Sequence, residues 1–172
     1  KKVDLYAEQL PEMILKACDQ AMASLAPARV EWGTGNCDFA VNRRENKSEV
    51  VTERREQDQL VGPVDHSVPV LRATDSKGKI RAIVFGYACH ATTTGFFEWS
   101  GDYPGFAQMH LEKANPGAVA MFWAGCGADQ NPLPRRTLEL LKKYGKQLAD
   151  SVQEVVTQPM KRINGQLVAR YE

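Results

Sequence analysis

The chain has 172 residues, 43% of them hydrophobic and 25% charged, with a formal net charge of +1. That length suits one domain with a real core, and the balanced charge argues against nucleic acid or an acidic membrane surface as a bulk partner. No apolar run approaches the roughly 20 residues of a membrane helix. Four scattered cysteines without a CxxC pair argue against a zinc ribbon. Cys18 and Cys89 read as small core residues, and Cys37 can pair in an oxidising compartment. The sequence opens Lys1-Lys2-Val3 with neither an initiator Met nor a signal peptide, which reads as a processed product or an excised fragment.

Taken in order, residues 4–26 carry Leu10, Met13, Ile14, Ala17, Cys18, Ala21, Met22 and Leu25 at the spacing of an amphipathic helix, and the stripe is expected in the core. Val30 and Trp32 alternate with Arg29 and Glu31 in a short strand over 28–35, and Gly33-Thr34-Gly35-Asn36 is a turn signal. Residues 45–58 are charged and poor in apolar side chains, and read as a solvated loop. Strands follow at 68–74 and 79–89, joined as a hairpin by Asp75-Ser76-Lys77-Gly78. The second is apolar at nearly every position, which predicts burial on both faces. Asp102 is placed to cap a helix over 103–114, with Pro104 tolerated in its first turn. A buried strand is expected at 118–124, a long helix over 132–156 and a final strand over 163–171. The alternation predicts a single α/β domain over residues 1–172, a layered mixed β-sheet flanked by helices.

Chemistry is expected at the ends of the two apolar strands. Cys89-His90 ends the first; Gly125-Cys126-Gly127-Ala128-Asp129-Gln130-Asn131 ends the second. A neutral His90 can ligate zinc or act as a base, or be a hydrogen-bonded structural residue. His66 and His110 are not at metal-motif spacing to it. Asp102 and Asp129 read as cap and turn residues. Asn131-Pro132 reads as the N-cap of the long helix, whose N-terminus would face the strand edge and favour an anion. Arg43 suits a carboxylate or an oxyanion because its guanidinium donates two bonds. A Cys89–His90 hydrolase pair is disfavoured, since adjacent strand residues point to opposite faces. Phe96, Phe97 and Trp99 read as a local core cluster, with an apolar approach to the site as the alternative.

Three blocks together resemble the neutral/alkaline, non-lysosomal ceramidase family. They are Asn42-Arg43; Tyr87-Ala88-Cys89-His90-Ala91-Thr92-Thr93 with Ser100-Gly101-Asp102-Tyr103-Pro104-Gly105; and Phe122 followed by Gly127-Ala128-Asp129-Gln130-Asn131-Pro132. The resemblance spans residues 5–171 and implies that the chain is part of a larger catalytic domain. It implies a zinc-dependent hydrolase of linear amides, with a small amphiphilic N-acyl substrate of the sphingolipid type, possible peripheral contact with a membrane, and a secreted or periplasmic setting. It implies that His90 is a zinc ligand and Arg43 the active-site arginine. Asn131 stands where family members have a serine, so it cannot serve as a nucleophile and can only donate or accept a hydrogen bond. The family's other zinc ligands, a further histidine, a glutamate and a tyrosine, have no counterpart here, so the zinc site is expected to be incomplete and the fragment inactive. The competing expectation is a non-catalytic binding or structural module on the same scaffold.

Overall fold

The structure is a computed structural model describing residues 2–166 and 168–171. Its elements are α1 (Lys2–Ala23), β1 (Arg29–Asn36), β2 (Ala40–Asn42), α2 (Val51–Glu56), β3 (Ser67–Thr74), β4 (Ile80–Tyr87), α3 (Asp102–Ala114), β5 (Val119–Ala124), β6 (Gln130–Pro132), α4 (Leu138–Thr157) and β7 (Lys161–Arg162). The main sheet has the order β5-β4-β3-β1-β7, and β2 pairs separately with β6. β4 and β5 run parallel, joined through α3, while the β3–β4 hairpin and the β1–β3 pair are antiparallel. The expected mixed sheet flanked by helices is therefore present.

Period-2 alternation decides which face of the sheet carries the core. Val68, Val70, Ile83, Phe85, Tyr87 and Ala120 point to the face covered by α3 and α4, where they meet Tyr103, Ala107, Leu111, Leu148, Val152 and Val156. The registers Trp32↔Leu71, Leu71↔Val84, Val84↔Met121 and Gly86↔Trp123 align the other side chains on the opposite face. That face is apolar across four strands, and Trp32, Val119, Met121 and Trp123 on it are exposed. The burial expected for the strand at 118–124 is thus overturned. β5 is an edge strand in which Ala120 is buried, as is Ala118 just before it, while Val119, Met121 and Trp123 are open.

Several other expectations are corrected. α1 forms, but none of its residues is buried, so its apolar stripe and Cys18 are not core. The helix-bearing face of the sheet is already filled by α3 and α4. α1 touches the 96–99 loop through Tyr6, whose ring centroid lies 6.2 Å from that of Trp99. Gly33 and Gly35 lie inside β1 rather than in a turn. A Cβ on Gly33 would sit 2.8 Å from Val155 Cγ1, and one on Gly35 would sit 2.6 Å from Ser151 Oγ, so these glycines let α4 approach the strand.

The 45–58 run is not merely a loop, because it contains α2. Val51 packs with Val41 and Leu133. Arg55 donates to the carbonyls of Asp38, Phe39 and Leu133, converting apparent surface charge into an anchor. The long helix starts at Leu138 with Thr137 as its cap, Thr137 Oγ1 accepting from Leu140 N at 3.2 Å. Asn131 and Pro132 belong to β6 instead, so the expected Asn131 cap is not formed. The final strand expected over 163–171 is not found among the described residues: β7 is Lys161–Arg162, just before that range and paired with Glu31 and Trp32, and residues 163–166 and 168–171 are irregular. Leu167, part of that expected strand, lies outside the described residues.

Candidate functional site

The site is assembled by backbone hydrogen bonds around residues 129–131. β2 pairs antiparallel with β6, placing Val41 opposite Asn131 and Asn42 opposite Gln130. One residue further, Arg43 N donates to Asp129 O at 2.8 Å. Where β4 ends, His90 N donates to Gln130 O at 3.0 Å. Arg43, His90 and Asn131 therefore emerge from three chain segments at one hydrogen-bonded edge, although they lie far apart in sequence.

The packing beneath this edge is close and aromatic. Phe39 stacks on Tyr144 at 4.6 Å and meets Tyr87 and Tyr103 edge-on at 4.8 and 5.0 Å. The tyrosine hydroxyls bond backbone. Tyr87 donates to Cys37 O at 2.5 Å and accepts from Ala40 N, Tyr103 donates to Cys89 O at 2.7 Å, and Tyr144 donates to Pro134 O at 2.6 Å. Burial pushes all three phenols upward, Tyr144 to about 12, so they remain neutral donors. A Cβ on Gly127 would lie 2.6 Å from Ala88 C and from Cys89 N, so only glycine lets the 125–129 loop lie against the end of β4.

The carboxylates hold loops in place. Asp102 is the first residue of α3, at φ +48°, with Gly101 at the N-cap. Its carboxylate accepts from Thr93 N, Thr94 N, Thr94 Oγ1 and Tyr103 N, tying the segment after His90 to the start of α3. Asp129 Oδ2 accepts from Asn42 Nδ2 at 3.0 Å. Both are structural, but the expected Asp102 cap is not formed: Gly101 is the N-cap, and Asp102 instead ties the 93–94 segment to the helix.

His90 and Arg43 are exposed, and Asn131 is buried with no hydrogen-bond partner for Oδ1 among the described residues. Arg43 Nη2 donates to Ala128 O at 2.9 Å, which aims the guanidinium along the same loop. Two further arginines lie nearby. Arg135 Nη1 donates to Thr92 Oγ1 at 3.0 Å, and Arg136 Nη1 to Thr94 O at 2.8 Å. Partial burial pulls the Arg135 guanidinium below its usual pKa, and the like charges of Arg136 and Arg43 add to the shift. None of the ion pairs among the described residues involves these arginines. Sequence reasoning missed Arg135. The available signal was its place three residues beyond Pro132, in a segment read as helix.

The Cys89 thiol lies under the site, and burial raises its pKa strongly, so it is no nucleophile at neutral pH. Phe96, Phe97 and Trp99 are exposed, which overturns the core-cluster expectation and leaves an apolar ledge on the loop after His90. A catalytic zinc needs about three protein ligands. Among the described residues no group of three or more His, Cys, Asp or Glu side chains can hold a metal ion, so these residues do not by themselves fit zinc.

No family model matches the sequence, and no curated protein matches it. Solved structures do. A ceramidase complexed with C2 superposes with a TM-score of 0.72 at 20% identity, over 86% of this chain. The fold is that of a segment of ceramidase. The neutral ceramidase from Pseudomonas aeruginosa gives the same TM-score at 19% identity over 89% of this chain. This chain spans about a quarter of each of those ceramidases, 25% and 26% of their lengths. Among the described residues, no helix is long and apolar enough to cross a membrane.

Proposed function

We propose that the chain contributes part of the active site of a ceramidase-like hydrolase that cleaves a linear amide in an amphiphilic N-acyl substrate. The observation carrying this reading is the joining of His90, Arg43 and Asn131 to one edge, through Gln130 O, Asp129 O and the β2–β6 pairing, within a ceramidase fold. Amide hydrolysis develops negative charge on the carbonyl oxygen, and an oriented guanidinium stabilises it. Arg43, steered by Ala128 O, fills that role. Asn131 supplies hydrogen bonding and no nucleophile. Phe96, Phe97 and Trp99 offer apolar surface to the acyl chain. A peripheral membrane contact and a secreted or periplasmic setting belong to the same proposal.

The family's zinc is a further part of it. His90 is one ligand, and the remaining ligands lie outside residues 1–172. The full-length protein should hydrolyse fluorogenic N-acyl amides and lose that activity to a chelator. Chelator-insensitive hydrolysis would overturn the zinc, and one tightly held zinc in residues 1–172 alone, lost in His90→Ala, would overturn the shared ligand set. The asparagine at 131 favours a second reading, a binding module without turnover. It gains if the full-length protein binds N-acyl lipids and cleaves none.

A further inference from the structure

Arg135 and Arg136 hold the segment after His90, Arg43 holds Ala128 on the adjoining loop, and none of the three has a carboxylate partner among the described residues. Arg43 is fixed to Ala128 O and Arg136 to Thr94 O. Arg135 is the most constrained of them. It is half-buried, holds Thr92 Oγ1 with one nitrogen, and the charges acting on it are those of Arg136 and Arg43, both repulsive. A partly desolvated cation beside like charges gains from an anion that binds it. Asp102 and Asp129, which tie the loops of this edge together, are engaged elsewhere. The first holds Thr93, Thr94 and Tyr103, and the second accepts from Asn42. Arg136 adopts φ +89°, a left-handed backbone uncommon for a side-chain-bearing residue, so the local fold keeps two adjacent arginines here at a conformational cost.

We infer that Arg135, beside Arg43, forms an anion-binding subsite, and that the preferred substrate carries an anionic group, carboxylate or phosphate, close to the scissile amide. This rests on the amide-hydrolase reading above. A neutral N-acyl lipid would leave the arginine pair uncompensated. An N-acyl amino acid or a phosphorylated N-acyl amine would neutralise it, since guanidinium and oxyanion match in a forked geometry. Arg43 then serves the reacting carbonyl and Arg135 the substrate's own charge, which divides catalysis from selection.

The test uses the full-length protein with three probes of equal acyl length: N-lauroylglycine, N-lauroylethanolamine and N-lauroylethanolamine phosphate. Hydrolysis rates and calorimetric binding are both measured, in wild type, Arg135→Gln and Arg135→Lys. An anionic probe should bind and react roughly tenfold or more better than the neutral one. Arg135→Gln should collapse that ratio, mainly through KM, and Arg135→Lys should restore part of it. The preferred anionic probe distinguishes carboxylate from phosphate. Equal use of neutral and anionic probes by wild type would overturn the inference, as would an equal fall on all probes in Arg135→Gln, the signature of a residue that merely holds Thr92. Anion-selective binding lost in Arg135→Gln, without hydrolysis of any probe, would keep the subsite and overturn the hydrolase reading.

Discussion

The side-chain amide of Asn42 donates to Asp129 Oδ2 at 3.0 Å, joining the end of β2 to the loop before β6 across 87 positions of sequence. The same amide donates to Pro63 O, and its oxygen accepts from Arg44 N and Glu45 N. Arg43 thus follows a residue whose polar atoms are engaged on three chain segments. Asn42→Ala should cost roughly 2–4 kcal/mol, because several buried groups lose partners together. Asn42→Asp is more informative. It keeps the acceptor and turns the donor into a carboxylate facing Asp129, so its deficit should shrink in acid, where the new carboxylate is protonated and the like-charge repulsion is relieved. Urea unfolding across pH would check both, and a pH-independent deficit in Asn42→Asp would contradict the like-charge cause.

Gly127 is the tightest point of the site. A Cβ there meets the Ala88 and Cys89 backbone at 2.6 Å, and backbone yields less readily than a side chain. Gly127→Ala should cost roughly 1–3 kcal/mol. It should also lift the loop that carries Asn131 away from His90. Chemical-shift changes confined to 88–90 and 125–131 would show it; changes spread over α4 would not fit.

The cysteines divide into two classes. Cys37 and Cys89 are buried, and desolvation raises both thiols, Cys37 to about 12. Cys18 and Cys126 are exposed. A thiol reagent at neutral pH should modify Cys18 and Cys126 at once and Cys37 and Cys89 only on unfolding. Mass spectrometry of the native and denatured protein resolves the sites. The pairing contemplated for Cys37 is not formed, as it is a free thiol among aromatic side chains.

Glu31 lies on the helix-bearing face of β1, its carboxylate 2.8 Å from Arg72 Nη2. The hydrogen bond from Arg72 holds its pKa below the usual carboxylate value. A depressed folded-state pKa contributes stability that is complete above the unfolded value of about 4.3 and is lost as pH falls through the folded value. Glu31→Gln should therefore be less stable than wild type at pH 6 to 7, and the gap should close on acidification below about pH 4. Denaturant midpoints at several pH values measure it; a gap that widens toward acid would be the wrong sign.

Strands with clean alternation were legible. The hairpin at Asp75-Ser76-Lys77-Gly78 follows from local chemistry, and so does a helix beginning near Asp102, although Gly101 and not Asp102 is its cap. Position in the sheet was not. The run 118–124 is as apolar as a central strand, yet it forms an edge, because strand order depends on connections that no single strand encodes. The α1 stripe shows the same limit, since periodicity reports an apolar face and not what lies against it. Asn131-Pro132 satisfied the cap pattern, but pairing with Val41 and Ala40 took both into a strand before Thr137 opened the helix. Of the site, His90 and Arg43 were readable as side-chain types at strand ends. Arg135 was hidden because its meaning comes from Thr92, a partner 43 positions away.

The bare side of the sheet has a colloidal consequence. Trp32, Val119, Met121 and Trp123 are exposed on one face of the sheet, and β5 leaves a row of peptide groups along its rim. A formal net charge of +1 offers almost no mutual repulsion at neutral pH. Residues 1–172 prepared alone should therefore scatter light increasingly as they are concentrated, sooner in sulfate than in chloride, because sulfate strengthens apolar association. A charged substitution such as Met121→Lys should postpone that onset while leaving the core on the other side of the sheet untouched.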